Sequence, residues 1–198
     1  NALTSITTGT QNTIIGSYAG DAITSGNYNT AIGSGAGGAI TTGVQNTFVG
    51  RNVGTGADDA NFNVAVGDTI MNANFGNTNI GIGYNVATAI TGTGNIAIGN
   101  NVNTAANSRN YTIGIGQNAL RNNNTAYIIA IGFQAGEENT SGDENTYLGY
   151  SAGWKVQDGA HNTHVGYNAG AYATGSHNTF FGNDAGKGGT TSAPFSSG

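Results

Sequence analysis

Apolar and polar positions alternate over short stretches that each close on a glycine, and this unit returns along almost the whole chain. Its clearest form is Asn-Thr-x-aliphatic-Gly, first met as Asn12-Thr13-Ile14-Ile15-Gly16. The closing glycines are Gly16, Gly33, Gly50, Gly67, Gly83, Gly99, Gly116, Gly132, Gly149, Gly166 and Gly182, spaced by 16 or 17 residues. Eleven copies at this spacing define a repeat protein, since self-similarity at a fixed period is the mark of stacked structural units.

Counting each copy from its closing glycine as zero, position −1 is always apolar, from Ile15 to Phe181. Position +3 is small or aliphatic, from Ala19 to Ala185. Position −4 is Asn in nine copies, the exceptions being Thr112 and Ile128, and position −7 is Gly in eight. The one-residue slack falls in the turn after +4. Each copy reads as a strand over −4 to −1, a break at glycine, a second short strand near +2 to +4, and a turn. Side chains alternate along a strand, so −3 and −1 share one side while −2 takes the other. The expected fold class is all-β, a parallel β-solenoid of eleven 16–17-residue coils, with −1 and +3 as core columns. Stacking at about 4.8 Å per coil makes a rod roughly 50 Å long. Stacked Asn residues are expected to form amide ladders.

A second pattern divides the rod. In copies four to eight, position −3 is aliphatic (Val64, Ile80, Ile96, Ile113, Ile129) and −2 is Ala or Gly. In the outer copies −3 is Thr, and −2 is larger in five of the six: Ile14, Phe48, Tyr147, His164 and Phe180. A column facing only water has no reason to shrink when its neighbour grows. Packing on both faces is expected, one against the chain's own second strand and one against a neighbouring chain; the alternative is chance among related repeats. A coil this thin encloses little apolar volume, and without cysteine there is no disulfide to reinforce it, so oligomerisation is the expected remedy.

Composition narrows the function. Thirty-five glycines among 198 residues far exceed the roughly 7% of average proteins, yet the strict period argues against disorder. Glycine, Asn and β-branched residues disfavour helix. Five Lys plus Arg against ten Asp plus Glu leave no basic footprint for nucleic acid or anionic lipid. No stretch approaches the roughly 20 apolar residues of a membrane helix, so membrane insertion is not expected. The first residue falls in the back half of a repeat, which suggests a segment or processed product. Residues 1–186 read as the repetitive solenoid, and 187–198 as a cap, linker or junction.

The phrases Asn63-Val-Ala-Val-Gly67, Asn95-Ile-Ala-Ile-Gly99 and Ile129-Ala-Ile-Gly132 resemble the head repeats of trimeric autotransporter adhesins. The forms Asn29-Thr-Ala-Ile-Gly33 and Asn145-Thr-Tyr-Leu-Gly149-Tyr-Ser-Ala-Gly153 are similar to Gly/Asn-rich repeats of phage tail fibres. Together the resemblance spans roughly residues 5 to 186, although adhesin repeats are shorter. It implies a left-handed β-roll, a homotrimer, an extracellular place on a virion tail or bacterial surface, and a glycan or protein receptor. Neither family supplies a catalytic motif.

Candidate chemistry is sparse. Gly33-Ser-Gly35-Ala-Gly37-Gly38 fits the dinucleotide fingerprint, but no helix follows and the repeat accounts for the glycines. Glu137, Glu138, Asp143 and Glu144 surround one turn and read as a solvated loop rather than a cation site. His161 and His177 both stand at −5, with His164 nearby. Three chains could gather such imidazoles around an axial metal, but ordinary turn histidines are the preferred account, so no metal or cofactor is expected. The leading binding candidate is an aromatic strip: Phe133, Tyr150 and Tyr167 at +1 of consecutive copies, with Tyr147, Trp154, Tyr172 and Phe180 in the same third. A stabilising ladder or a chain–chain contact competes with that reading. The expected function is a non-catalytic structural and receptor-binding segment of a trimeric fibre. An ice- or surface-binding solenoid using the Thr column is the alternative. A glycan depolymerase would need paired carboxylates, and −3, −2 and −1 carry none.

Overall fold

The computed structural model describes residues 2–56, 59–104 and 110–188, and in it the chain is all-β. One strand per copy joins a single parallel sheet in sequence order, a solenoid of about ten turns. The strands are β1 (Thr13–Ile15), β2 (Thr30–Ile32), β3 (Thr47–Val53), β4 (Val64–Ile70), β5 (Ile80–Val86), β6 (Ile96–Asn100), β7 (Ile113–Ile115), β8 (Ile129–Ile131), β9 (Thr146–Leu148), β10 (Thr163–Val165) and β11 (Thr179–Phe181). Register follows the repeat: Thr13 pairs with Thr30, Ile80 with Ile96, and Thr163 with Thr179. Residues 189–198, most of the expected cap or linker, lie outside the described residues.

The separate second strand expected near +2 to +4 does not form among the described residues. In β3, β4 and β5 the first strand runs on through the glycine to +3, and in most other coils the same residues make a turn. The backbone gives the reason. Positions −5, +2 and +4 are left-handed in every copy, as at Tyr28 (φ 59), Asn52 (φ 52) and Met71 (φ 53). Each coil therefore has three fixed corners, and +3 is turned inward between two of them. The closing glycines take φ between 125 and 140, and a Cβ on Gly50 would collide with the carbonyl oxygen of Gly67 in the next coil. Glycine closes the phrase because the stacked backbones leave no room for a side chain.

The core lies on the side opposite to the one expected for −1. Ala31, Phe48, Ala65 and Tyr147 at −2 are buried, as are Val53 and Ile70 at +3, Met71 and Leu120 at +4, and Ile23, Ile40 and Val156 at +7. Position −1 faces out, with Ile15 at 59% exposure and Leu148 at 44%. Burial of Asn at −4 settles the alternation. Once −4 points in, −2 must follow it, and −3 with −1 turn outward.

The size pattern at −2 now has a physical cause. Phe48 lies over Gly54 and Gly37, and Tyr147 over Gly153 and Gly136, where an added Cβ would fall 2.6 Å from ring carbons at Gly54 and Gly136. Where −2 is Gly81, the space is filled by Ile70 and Met71. Phe48 and Tyr147 thus sit over the +4 glycine of their own coil and of the coil before, so Ala31 and Ala130 also go with glycine at +4. Gly81 is met by the larger Ile70 and Met71 of the preceding coil, because interior volume is shared between neighbouring coils.

Buried Asn residues clip successive coils together. Asn46 Oδ1 accepts the backbone N–H of Asn63 at 3.0 Å, while its Nδ2 donates to the Ala60 carbonyl at 2.7 Å and to Asn29 Oδ1 at 3.0 Å. Thr112 continues the column by donating its backbone N–H to Asn95 Oδ1 at 3.0 Å. At Ile128 the amide is lost, and a second polar pair takes over one column away. Asn139 Nδ2 donates to Asn123 Oδ1 at 2.9 Å, and Asn145 Nδ2 to Asn139 Oδ1 at 3.2 Å.

Removing one clip strands buried backbone groups on both sides. Asn46→Ala is expected to cost roughly 3 kcal/mol in denaturant unfolding. Thr42→Ala, at an exposed turn position, should stay within about 0.5 kcal/mol of wild type.

Candidate functional site

Two surfaces carry the chemistry of this rod: the outer face of the sheet and the turn corner after +4. On the outer face, −3 and −1 form a stripe without a charged residue. In β4 through β8 both columns are aliphatic, giving ten contiguous Val and Ile side chains, of which Val66 (36%), Ile82 (38%) and Ile129 (40%) are the most open. Towards either end Thr replaces the aliphatic residue at −3. At the last strand Phe181 stands 82% exposed.

Beside the stripe, at +1, Phe133, Tyr150 and Tyr167 stack ring on ring, with centroids 4.9 and 5.1 Å apart and planes within 18°. The stack occupies the inner faces of the rings and offers mainly edges and hydroxyls. Earlier in the same column Arg51 Nη2 lies 2.7 Å from Asp68 Oδ2. A hydrogen bond from the Thr69 hydroxyl, followed by Arg51, holds the Asp68 carboxyl below its ordinary range. On the other flank, at −5, Tyr111 stacks on Tyr127 at 5.8 Å and His161 on His177 at 4.8 Å. His161 Nδ1 lies 3.1 Å from Glu144 Oε2.

The sequence grouped Tyr147 with the exposed strip, and the structure corrects this. Tyr147 is fully buried at −2, and its hydroxyl donates to Asn139 Oδ1 at 3.2 Å. Burial alone raises its phenol well above the ordinary value. Phe180 is the half-buried −2 residue of the last coil.

Trp154 belongs to neither flank. It sits at +5 on the turn corner, in an edge contact with Tyr172 at 5.6 Å. Its Nε1 donates to Glu137 Oε2 at 2.9 Å, and Arg121 Nη2 holds the other carboxylate oxygen at 2.8 Å. Lys155 Nζ lies 4.7 Å over the indole and 4.0 Å from Glu138. Glu137, expected in a solvated acidic loop, is only 2% exposed. Arg121 and the indole N–H each engage one oxygen of this buried carboxyl group, and the pairing fixes the indole in place. The one sequence-level hint was the +5 spacing shared by Arg121, Glu137 and Trp154.

The three histidines do not converge. His161 and His177 are on the surface, whereas His164 lies inside the coil between Tyr147 (5.5 Å) and Phe180 (5.0 Å). Neither of its ring nitrogens has a hydrogen-bond partner, and Gly170 packs directly on the ring. Burial holds its pKa down at about 4. Among the described residues no three His, Asp or Glu side chains gather as a metal site would require. Lys155, Gln157, Asp158, Ala173 and Thr174 help to line a notch of about 100 Å³, well short of the roughly 300 Å³ where small-molecule pockets begin.

No protein-family model matches the chain, and neither a curated protein nor a solved structure matches it.

His164 gives the rod an acid limit. The folded state accepts its proton only near pH 4, the unfolded chain near the ordinary 6.5. The unfolded state therefore gains protons first as pH falls. Stability complete above pH 6.5 is lost progressively towards pH 4, by about 3 kcal/mol in total. Urea unfolding at pH 7 and pH 4.5 should show most of that loss in wild type and little of it in His164→Phe.

Proposed function

We propose that this chain is a non-catalytic segment of a trimeric extracellular fibre, a phage tail fibre or bacterial adhesin, which holds a receptor-binding surface away from the particle. The observation that carries the reading is the uncovered charge-free stripe. All-parallel sheets are found almost only with both faces covered, and here the coil interior covers one.

Size supports copies of the chain as the missing cover. From −5 to +1 a strand spans about 20 Å, so eleven strands present roughly 1,000 Å². That is close to the ~800 Å² each partner gives to a standard interface. Three such sheets closed edge to edge put the axis about 6 Å from each, near half the ~10 Å spacing of packed sheets. The aliphatic residues at −3 in the central coils then form the driest part of a common core, with Thr towards its ends. On this reading Trp154, held by Glu137 and lying away from the stripe, is the leading receptor contact for a surface glycan or protein.

The outward Thr residues at −3 favour a second reading, an ice- or crystal-binding face. Five aliphatic coils interrupt that array, and measurable thermal hysteresis would select it over the fibre.

Sedimentation or light scattering should give three chains per particle. Replacing Ile82 and Ile98 together by Asp should drop the mass to one chain, because buried unpaired charge is not tolerated in such a core. A folded wild-type monomer at micromolar concentration would sink the proposal.

A further inference from the structure

We infer that the −5 and +1 columns are the two halves of one seam between chains, so that the −5 edge of each copy packs against the +1 edge of the next. This deepens the trimer reading above and rests on it. In a single chain the two columns lie on opposite margins of the stripe, about 20 Å apart along the strand, and cannot touch.

Cyclic symmetry about the rod axis makes all strands run the same way round that axis. The interface is then heterologous, and unlike edges meet at every corner. At each coil level the partners are fixed by the repeat: Gln45 faces Arg51, Tyr127 faces Phe133, and His161 faces Tyr167 of the neighbouring copy.

Two features of the single chain point to this use. First, both margins hold large rings that the chain leaves about half exposed or more: Tyr28, Phe62, Tyr111 and Tyr127 at −5, and Tyr84, Tyr150 and Tyr167 at +1. Second, the −5 rings sit on strained backbone. Position −5 is left-handed throughout, with φ 59 at Tyr28, 60 at Phe62 and 57 at both Tyr111 and Tyr127. Glycine takes that conformation without cost and Asn with little, and Gly94 shows that glycine fits the corner. A bulky ring there is strained. Within the chain the −5 rings stack on one another only as Tyr111 on Tyr127 and His161 on His177, which leaves Tyr28 and Phe62 without a ring partner in that column among the described residues. Contact with another copy supplies the missing compensation. The Phe133–Tyr150–Tyr167 ladder is then an assembly surface, and recognition passes to the turn corner.

The chain has no cysteine, which makes the seam directly testable. Two double variants place cysteines across it: Gln45→Cys with Arg51→Cys, and His161→Cys with Tyr167→Cys. After oxidation or a short bis-maleimide, a denaturing gel should show covalent trimers for each double variant and no cross-link for the four single variants. Cross-linking of a single variant means that like edges meet, which overturns the seam. Absence of cross-links in both double variants, with three chains per particle by light scattering, also overturns it but leaves the fibre reading standing. A one-chain mass for the wild type removes both.

Discussion

Backbone stacks on backbone so closely at the closing glycines that the remaining structure is arranged to permit it. A carbonyl oxygen of each coil occupies the volume where a side chain on the coil before it would begin. That contact imposes the same residue at the same place in the ten copies from Gly16 to Gly166 and so fixes a parallel, in-register sheet. The buried Asn at −4 secures what the glycine allows. Its oxygen and its amide each serve backbone or side-chain groups of adjacent coils, so neither the amide nor the polar groups beside it lack partners.

Much of this was legible in the chain. Period, strand position, parallel order and the Asn column all follow from spacing and residue type, because glycine and buried Asn act locally and identically in each copy. The inside of the coil was not legible. Residues at −1, apolar in every copy, read as the core, while −2, ranging from Gly81 to Tyr147, read as belonging to the other packed face. The true interior varies because its volume is shared among −2, +3, +4 and neighbouring coils, and only their sum is constrained. The second strand was misread for a related reason. Left-handed corners at +2 and +4 are taken by Asn, Gln, Met, Leu and Tyr as well as Gly, and residue type does not announce them.

The same ambiguity governed the candidate site. The +1 ladder was visible because identical offsets in a solenoid become stacked rings. Burial of Tyr147 and His164 was hidden with the rest of −2. The hold of Glu137 on Trp154 was hidden because acidic residues near a turn ordinarily face water. The structure instead separates roles by face: conserved volume inside, an apolar stripe with aromatic margins on the sheet, and a polar aromatic corner at the turn.

The interruption at Ile128 matters for how such a rod comes apart. Buried apolar residues fall into two groups, one running from Ile23 to Ala119 and the other from Leu120 to Ala173, and the join lies beside the break in the amide column. In a solenoid each turn is stabilised only by the turns it touches, so cooperativity is passed along like current through a chain of couplings and fails first at the weakest one. A pull or a thermal fluctuation that cannot melt the whole length has a natural place to stop. The rod then divides into two blocks in series, residues 23–119 and 120–173, and the loss of one leaves the other standing.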